Sequence, residues 1–240
     1  MNQPMNHSTS RIVATVAAAL VLVLGTSYMT SLAQSGYRTG SLDLTASAHP
    51  GEARPTVTDT AFDVDTVWWQ PVRADTSALT SATCDGCTGA SRTLQVVYAV
   101  RPRGVEVDNA AVAWSSCKDC GGTALSVQVV VVRGLHGITA NNRALATNAG
   151  CTACSTAAKA YQLVVAAPDA GKLSRPAMAE LRAWVDEQDR LLRAGDAAAP
   201  SAARGTGTSA ASTPLSDLAT LVNDDLGTTT KRADVDVSSP

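Results

Sequence analysis

Aromatic side chains are scarce in this sequence. Phenylalanine occurs once among 240 residues, aromatic residues make up 4%, and alanine and valine carry much of the 45% apolar share. Small side chains remove little area from water, and burial contributes only about 25 cal/mol per Å². We therefore expect the folded part of the chain to need staples, as domains with small cores generally do.

Groups suited to acid–base chemistry or to binding polyanions are also few. The chain has three histidines, His7, His49 and His136, and a formal net charge of −2. His7 and His49 fall in N-terminal regions that we expect to be unstructured, and the near-neutral charge gives no electrostatic basis for binding nucleic acid. The sequence therefore predicts a protein that is not an enzyme, with no cofactor, no resident metal and no nucleic-acid partner.

An apolar segment stands near the N-terminus. No charged residue occurs between Arg11 and Arg38, and the run 12–25 is mostly apolar. Ser31 and Ala33 are small residues at positions suited to cleavage before Gln34, which is typical of a signal peptide. The uncharged stretch also exceeds the ~20 residues that span a bilayer, so a retained membrane anchor is the alternative. Both readings place the remainder outside the cytoplasm, either membrane-anchored through this segment or secreted.

Composition divides the chain into four segments. Residues 1–33 are the signal peptide or anchor, and residues 34–61 are a linker rich in Ser, Thr, Gly and Pro. Residues 62–195 form the predicted domain, which ends in an amphipathic helix over 174–194 with Ser174 as N-cap and Gly195 just past its end. Residues 196–240 lack aromatic residues and predict a disordered tail. A short helix around residues 215–226, formed on contact with a partner, is the alternative for part of this tail.

The six cysteines form three Cys-x-x-Cys pairs at a regular spacing. The pairs begin at Cys84, Cys117 and Cys151, which are 33 and then 34 residues apart. Seven residues separate each second cysteine from a glutamine in a strand-like run, and a small–branched–small arm precedes each pair. The repeated cysteines and glutamines are Cys84, Cys87, Gln95, Cys117, Cys120, Gln128, Cys151, Cys154 and Gln162. Such regularity identifies an internal repeat.

Each repeat unit has the pattern of a β-hairpin, and Asp85-Gly86 is preferred turn chemistry for a two-residue loop. Strand alternation places the cysteines, alanines and amides on one small, polar face and the bulky apolar residues on the other. In this register Gln128 lies opposite Asn109, and Gln162 lies opposite Asn142 across a bulge, so these amides bond to one another or to a neighbouring hairpin. We predict a mainly β fold of three antiparallel β-hairpin repeats in a six-strand assembly. One amphipathic helix caps its bulky face, and a hydrophobic helix precedes it at the N-terminus.

The cysteine pairs suit three chemistries. Disulfides within each motif are favoured, because a two-residue turn brings the two Cα atoms within bridging range and an extracytoplasmic compartment permits oxidation. A Cys₄ zinc site made of two pairs is the second reading, although three pairs leave one over. Thiol–disulfide catalysis is the third, and it needs a thiolate of lowered pKa. Lys118 is the only cation inside any of the motifs.

The repeated pair, the small-residue arm and the glutamine together resemble a group of uncharacterised exported proteins of high-GC Gram-positive bacteria, some of them labelled as peptide zinc metalloprotease proteins. The resemblance covers residues 84–168 and extends to the helix that follows. It implies export but no particular activity. The His-Glu-x-x-His motif of zinc proteases is absent from this sequence, so the resemblance gives no reason to expect proteolysis.

These patterns together predict a non-enzymatic extracytoplasmic module, structural or protein-binding, that is stapled by disulfides. Its expected partners are the membrane, if the N-terminal segment is retained, and another protein of the cell envelope. The alternative is a metal-binding or thiol-redox protein that uses the Cys-x-x-Cys pairs.

Overall fold

The computed structural model describes residues 41–134, 137–167, 171–195 and 212–240, and within them nine strands and two helices. In chain order these are β1 (Ser41–Ala48), β2 (Thr56–Trp68), β3 (Val72–Ala82), β4 (Thr88–Val100), β5 (Val105–Ser115), β6 (Gly121–Arg133), β7 (Ile138–Asn148), β8 (Ser155–Ala166), α1 (Arg175–Arg193), α2 (Ser212–Leu226) and β9 (Thr229–Ser238). The expected N-terminal hydrophobic helix and its signal or anchor role lie outside the described residues.

The strands form a parallel β-solenoid, not antiparallel hairpins. Sheet A has the order β1-β3-β5-β7 and sheet B the order β2-β4-β6-β8-β9, and every pair is parallel except β8 with β9. One sheet A strand and the following sheet B strand make one coil, and four coils, numbered 1 to 4 from the N-terminus, stack in register. The predicted hairpin repeats are therefore wrong, because the two arms of each unit belong to different sheets.

The register shows what the repeat length means. Val96 lies beside Val129, and Val129 lies beside Leu163, so each strand pairs with the equivalent strand of the next coil. Stacking equal strands in this way places equivalent side chains in columns and buries a continuous interior, which is the structural meaning of a fixed repeat.

The interior lies between the two sheets and changes character from one edge to the other. Valines and alanines fill one end, a band of amides and hydroxyls crosses the middle, and an alanine cluster that includes Ala111, Ala124 and Ala158 leads to the cysteines. The predicted division of faces is correct for the second unit, since Asn109, Ala111 and Gln128 are fully buried on the inner side, with Cys117 and Cys120 nearly so. Sheets with such small inner side chains approach closely.

The bulky outer face of sheet B is covered by the helices. Ser174 caps α1 by accepting a hydrogen bond from the Ala177 amide at 3.2 Å, as the sequence predicts. Leu181 and Val185 of α1 and Leu218 of α2 pack on the outward residues of β4, β6 and β8. The lid function of α1 is therefore confirmed, but a second helix shares it. None of the described helices combines the length and apolar character needed to cross a membrane.

The repeat begins further upstream than the sequence indicated. Regular structure also occurs further downstream than the sequence indicated. β1 and the start of β2 lie in the expected linker, and coil 1 carries Glu52 and Pro55 at the register positions of Cys84 and Cys87. Part of the expected disordered tail forms α2 and β9. Tertiary contact explains this order, because Leu218 and Val222 are fully buried against the solenoid.

Both ends of the solenoid satisfy free strand amides with side chains. At the N-terminal end, Asp59 Oδ2 accepts a hydrogen bond from the Ser47 amide of β1 at 2.6 Å. At the other end β9 pairs with β8, while its Asp236 Oδ2 accepts from the Ala144 amide of β7 at 2.8 Å. Unpaired strand edges promote aggregation, and these contacts reduce that exposure.

Candidate functional site

The candidate site is the edge of the solenoid where each coil turns from sheet A to sheet B through a Cys-x-x-Cys segment. A disulfide closes each turn, with Cα–Cα distances of 5.4 Å for Cys84–Cys87, 5.8 Å for Cys117–Cys120 and 5.7 Å for Cys151–Cys154. These distances lie in the usual range for disulfides. All six cysteines are paired within their own motif.

The turn conformation explains why these segments do not close hairpins. The third residue of each turn has positive φ: 70° at Gly86, 52° at Asp119 and 55° at Ala153. The second residue of each turn does not. A type I′ hairpin turn needs positive φ at both central residues, whereas positive φ at the third position alone is typical of type II turns. This geometry directs the chain from one sheet to the other.

Backbone hydrogen bonds hold the three turns in a stack. The Gly86 amide donates to the Lys118 carbonyl and the Asp119 amide to the Thr152 carbonyl, each at 2.9 Å. Asp85 Oδ1 accepts from the Lys118 amide at 2.8 Å. The hydrogen bonds between neighbouring coils therefore continue from the strands into the turns, and they place the disulfides in a column.

The sulfur atoms of coils 3 and 4 are in contact. Cys120 Sγ lies 3.3 Å from Cys154 Sγ, and the sulfurs of Cys120, Cys151 and Cys154 all lie within 4.8 Å of one another. Cys117 and Cys120 are 8% and 2% exposed, whereas the cysteines of coil 4 are only half-buried. Chemically, this cluster suits thiol–disulfide exchange or, if its cysteines were reduced, a thiolate metal site.

A groove adjoins the column on the outer side of sheet B. Its volume is about 570 Å³, and Cys154, Thr123, Ser155 and the end of α1 at Arg193 contribute to its lining. Small residues such as Gly121 keep its floor low. Sequence reasoning missed this groove, because it depends on where α1 ends over the sheet.

The repeat glutamines form a buried column inside the solenoid. Gln162 Nε2 donates to Gln128 Oε1 at 2.8 Å, and Gln128 Nε2 donates to Gln95 Oε1 at 2.9 Å. Gln128 Nε2 also donates to the Ala74 carbonyl of sheet A at 2.9 Å. The three amides therefore join neighbouring coils and also join the two sheets.

The asparagines form a second, shorter column. Asn109 Nδ2 donates to Asn142 Oδ1 at 2.8 Å and to the Tyr161 carbonyl at 2.9 Å, while Asn142 Nδ2 donates to the Ala160 carbonyl at 2.9 Å. Gln128 therefore bonds to the glutamines of the neighbouring coils, while Asn109 bonds to Asn142 and accepts from the Ser126 hydroxyl of its own coil at 2.6 Å. The predicted opposition of Gln128 with Asn109 gives way to like-with-like pairing.

The outer face of sheet A is exposed and carries an acidic row, defined as Asp43, Asp75 and Asp108 in register on β1, β3 and β5. Burial, followed by the charges of Asp43 and Asp108, raises the pKa of Asp75. Arg143 of β7 pairs with Asp108 at 2.7 Å. Like charges on adjacent strands repel each other, so this row lowers the stability of the fold.

The structure thus brings the predicted cysteines together at one edge and the predicted amides together in the interior, about midway between the edges of the coil. The two sets are separate, and the amides serve to join coils. Comparisons of the chain with protein-family models, with curated proteins and with solved structures each gave no match.

Proposed function

We propose that this chain is a non-enzymatic, extracytoplasmic scaffold whose disulfides keep a short β-solenoid folded and whose exposed outer face binds a protein of the cell envelope. The observation that supports it is the column of three disulfides, each closing the turn between the two strands of its coil. The N-terminal segment delivers the domain outside the cytoplasm, as a cleaved signal or a retained anchor.

The size of the stapling effect is large for this composition. The loop-entropy relation gives about 2 kcal/mol for closing a loop as short as Cys-x-x-Cys, hence roughly 6 kcal/mol for three. Net stabilities of domains are about 5–15 kcal/mol. Near the cysteines the interior is built from alanines and small polar residues, which bury little apolar area, so the disulfides supply a large share of the stability at that edge.

The binding surface in this proposal is the outer face of sheet A, which the described helices leave uncovered. It presents charged groups, including the exposed ion pair of Arg73 with Glu106 at 2.7 Å, together with Leu145, which is 55% exposed. Flat exposed sheets with mixed charge and isolated apolar residues suit recognition of another protein.

A metal centre is the second candidate function, favoured by the clustering of the Cys120, Cys151 and Cys154 sulfurs within 4.8 Å. With Cys117 as a fourth ligand, the two reduced pairs of coils 3 and 4 would offer the Cys₄ set that Zn²⁺ prefers. This candidate requires free thiolates in place of the disulfides.

One experiment separates the two candidates. One portion of the exported protein is denatured without reductant and its thiols are titrated, while bound metal is measured by native mass spectrometry on a second, folded portion. The scaffold proposal predicts no free thiol and no metal. Four or more free thiols with one bound Zn²⁺ would contradict it and support the metal centre.

A stability measurement tests the stapling directly. A reductant should lower the free energy of unfolding by several kcal/mol, in line with the roughly 6 kcal/mol for three closed loops. A control variant with all six cysteines replaced by serine should not respond to the reductant. Equal stability of the oxidised and reduced wild type would refute the stapling role.

A further inference from the structure

Two neighbouring disulfides are placed for exchange with each other. Cys154 Sγ of coil 4 lies 3.3 Å from Cys120 Sγ of coil 3, so a thiolate at Cys154 would be in contact with a sulfur of the neighbouring disulfide, and attack on such a sulfur is the step of thiol–disulfide exchange. Cys154 Sγ also lies 2.9 Å from the Cys117 carbonyl oxygen. A protonated Cys154 thiol would donate to this carbonyl and would stay beside the Cys117–Cys120 disulfide.

The two disulfides differ in accessibility. Cys117 and Cys120 are nearly buried, at 8% and 2% exposed, so an external thiol has little direct access to them. Cys151 and Cys154 are half-buried, and Cys154 forms part of the wall of the groove of about 570 Å³. An external reagent therefore meets the coil 4 disulfide first.

We propose that the Cys151–Cys154 disulfide is an exchange site through which an external dithiol reduces the buried Cys117–Cys120 disulfide. The proposal goes beyond the scaffold function and rests on it only in requiring that the disulfides are formed. It assigns to the chain a stoichiometric exchange that oxidises one dithiol per molecule, so the scaffold remains non-enzymatic.

The first half of the reaction reduces the exposed pair. One thiolate of the dithiol attacks Cys151 Sγ, which forms a mixed disulfide and releases Cys154 as a thiolate. The second thiolate of the dithiol then attacks the dithiol sulfur that is bonded to Cys151. The dithiol leaves as a cyclic disulfide, and Cys151 is released as a thiolate.

The second half moves the two electrons inward. The Cys154 thiolate attacks Cys120 Sγ, which forms a Cys120–Cys154 bond between coils, breaks the Cys117–Cys120 bond and releases Cys117 as a thiolate that is protonated by solvent. The Cys151 thiolate then attacks Cys154 Sγ, which restores the exposed disulfide and releases Cys120. The net result is one oxidised dithiol and two thiols at Cys117 and Cys120.

The relay stops at coil 3. Among the described residues the close cluster of sulfurs contains Cys120, Cys151 and Cys154, and it does not include the coil 2 pair. Cys87 is 1% exposed. The Cys84–Cys87 disulfide therefore serves as an internal control that the same reagent must reduce independently.

The sharpest test is Cys151→Ser in the full-length chain, which leaves Cys154 as a permanent thiol. The proposal predicts that, without any reductant, alkylation and non-reducing peptide mapping find a Cys120–Cys154 disulfide with Cys117 alkylated in a substantial share of molecules. The matched control, Cys84→Ser, should keep its free thiol wholly at Cys87. If Cys154 alone is alkylated in Cys151→Ser, with Cys117–Cys120 intact, the relay is refuted.

A kinetic test on the wild type covers the case in which Cys151→Ser does not fold. With limiting dithiothreitol and an acid quench, Cys120–Cys154-linked molecules should accumulate transiently. In the Cys151→Ser/Cys154→Ser variant, reduction of Cys117–Cys120 should slow by about tenfold or more, while that of Cys84–Cys87 keeps its rate. Equal rates of Cys117–Cys120 reduction in the two proteins would overturn the proposal. Free thiols in untreated wild type would instead count against the scaffold function, so the two failures are distinguishable.

Discussion

Replacing Gln128 by methionine removes the centre of the buried glutamine column while keeping an unbranched side chain of similar length. Gln128 is fully buried, and its amide joins Gln95, Gln162 and the Ala74 carbonyl. Methionine fills the space but neither donates nor accepts these bonds. The expected effect is therefore loss of hydrogen bonding without a cavity.

The magnitude follows from counting the groups left unpaired. One N–H of Gln162 loses its acceptor, although its other N–H keeps the Asn141 carbonyl at 2.9 Å. The Ala74 carbonyl loses a donor, whereas Gln95 Oε1 keeps the Thr76 hydroxyl. At about 1–3 kcal/mol for each buried group left unsatisfied, Gln128→Met should cost about 2–4 kcal/mol of unfolding free energy.

The assay is urea denaturation of the oxidised protein, with Asp63→Gln as the matched control. Asp63 occupies the same column in coil 1 but is exposed, and a glutamine there offers an acceptor to Gln95. This control should change stability by no more than about 1 kcal/mol in either direction. The double variant Gln128→Met/Gln162→Met should cost less than the sum of its parts, because both changes break the same bond. A Gln128→Met cost below about 0.5 kcal/mol, which is typical of surface positions, would refute the reasoning.

Three further predictions concern the turns, the acidic row and β2, the edge strand of sheet B. Ala153→Gly should raise the thermal midpoint, and Gly86→Ala should lower it. Positive φ costs a non-glycine residue about 1–2 kcal/mol, whereas glycine loses only about 0.5–1 kcal/mol in conformational entropy. Midpoint shifts of the same sign in the two variants would contradict this reasoning. Asp75→Asn should stabilise the fold by about 0.2–1 kcal/mol at pH 7. Folding raises the pKa of Asp75, so its carboxyl weakens the fold once the pH rises above the pKa of an unfolded aspartate. The stability gained by Asp75→Asn should therefore vanish below about pH 4 in a pH series of thermal melts. A gain that persists below that pH would exclude the charge explanation. Asp65→Val extends to coil 1 the column that valines fill in coils 2 to 4, and it removes a charge from an edge strand, where charges oppose edge-to-edge pairing. Sedimentation velocity should therefore detect self-association of this variant at concentrations where the parent shows none. An unchanged sedimentation profile would reject a protective role for this charge.

The side-chain faces were predictable from the sequence because strand alternation fixes them whatever the topology. Ala111, Asn109 and Gln128 share the interior face in a solenoid as they would in a hairpin. For the same reason the covering helix over residues 175–193 was predictable from Ser174 and its apolar stripe. The cysteine pairing followed from the short loop.

The direction of pairing was not predictable from alternation, since period 2 carries no information about which strand lies alongside. The Asp85-Gly86 pair favours a hairpin locally, yet only Gly86 has positive φ, and the turn leads into the other sheet. The stronger signal was the 33-residue period itself, because equal units gain most by stacking in register.

Coil 1 escaped prediction, and the helix α2 was expected only as an alternative to a disordered tail. Coil 1 has Glu52 and Pro55 in place of a cysteine pair, so the repeat loses its marker there. The helix α2 has the spacing of Leu218 and Val222, but a composition typical of disorder outweighed it. Its order comes from burial against the solenoid, which no local pattern reveals.

The parallel stacking of coils is the claim on which the disulfide column, the amide column and the relay all depend. Scalar couplings across backbone hydrogen bonds, measured by NMR on the deuterated oxidised protein, report directly which amide bonds to which carbonyl. The account predicts that the amides of β6 couple to carbonyls of β4 or β8. Couplings between β6 and β5, the two arms of one Cys-x-x-Cys unit, would contradict it.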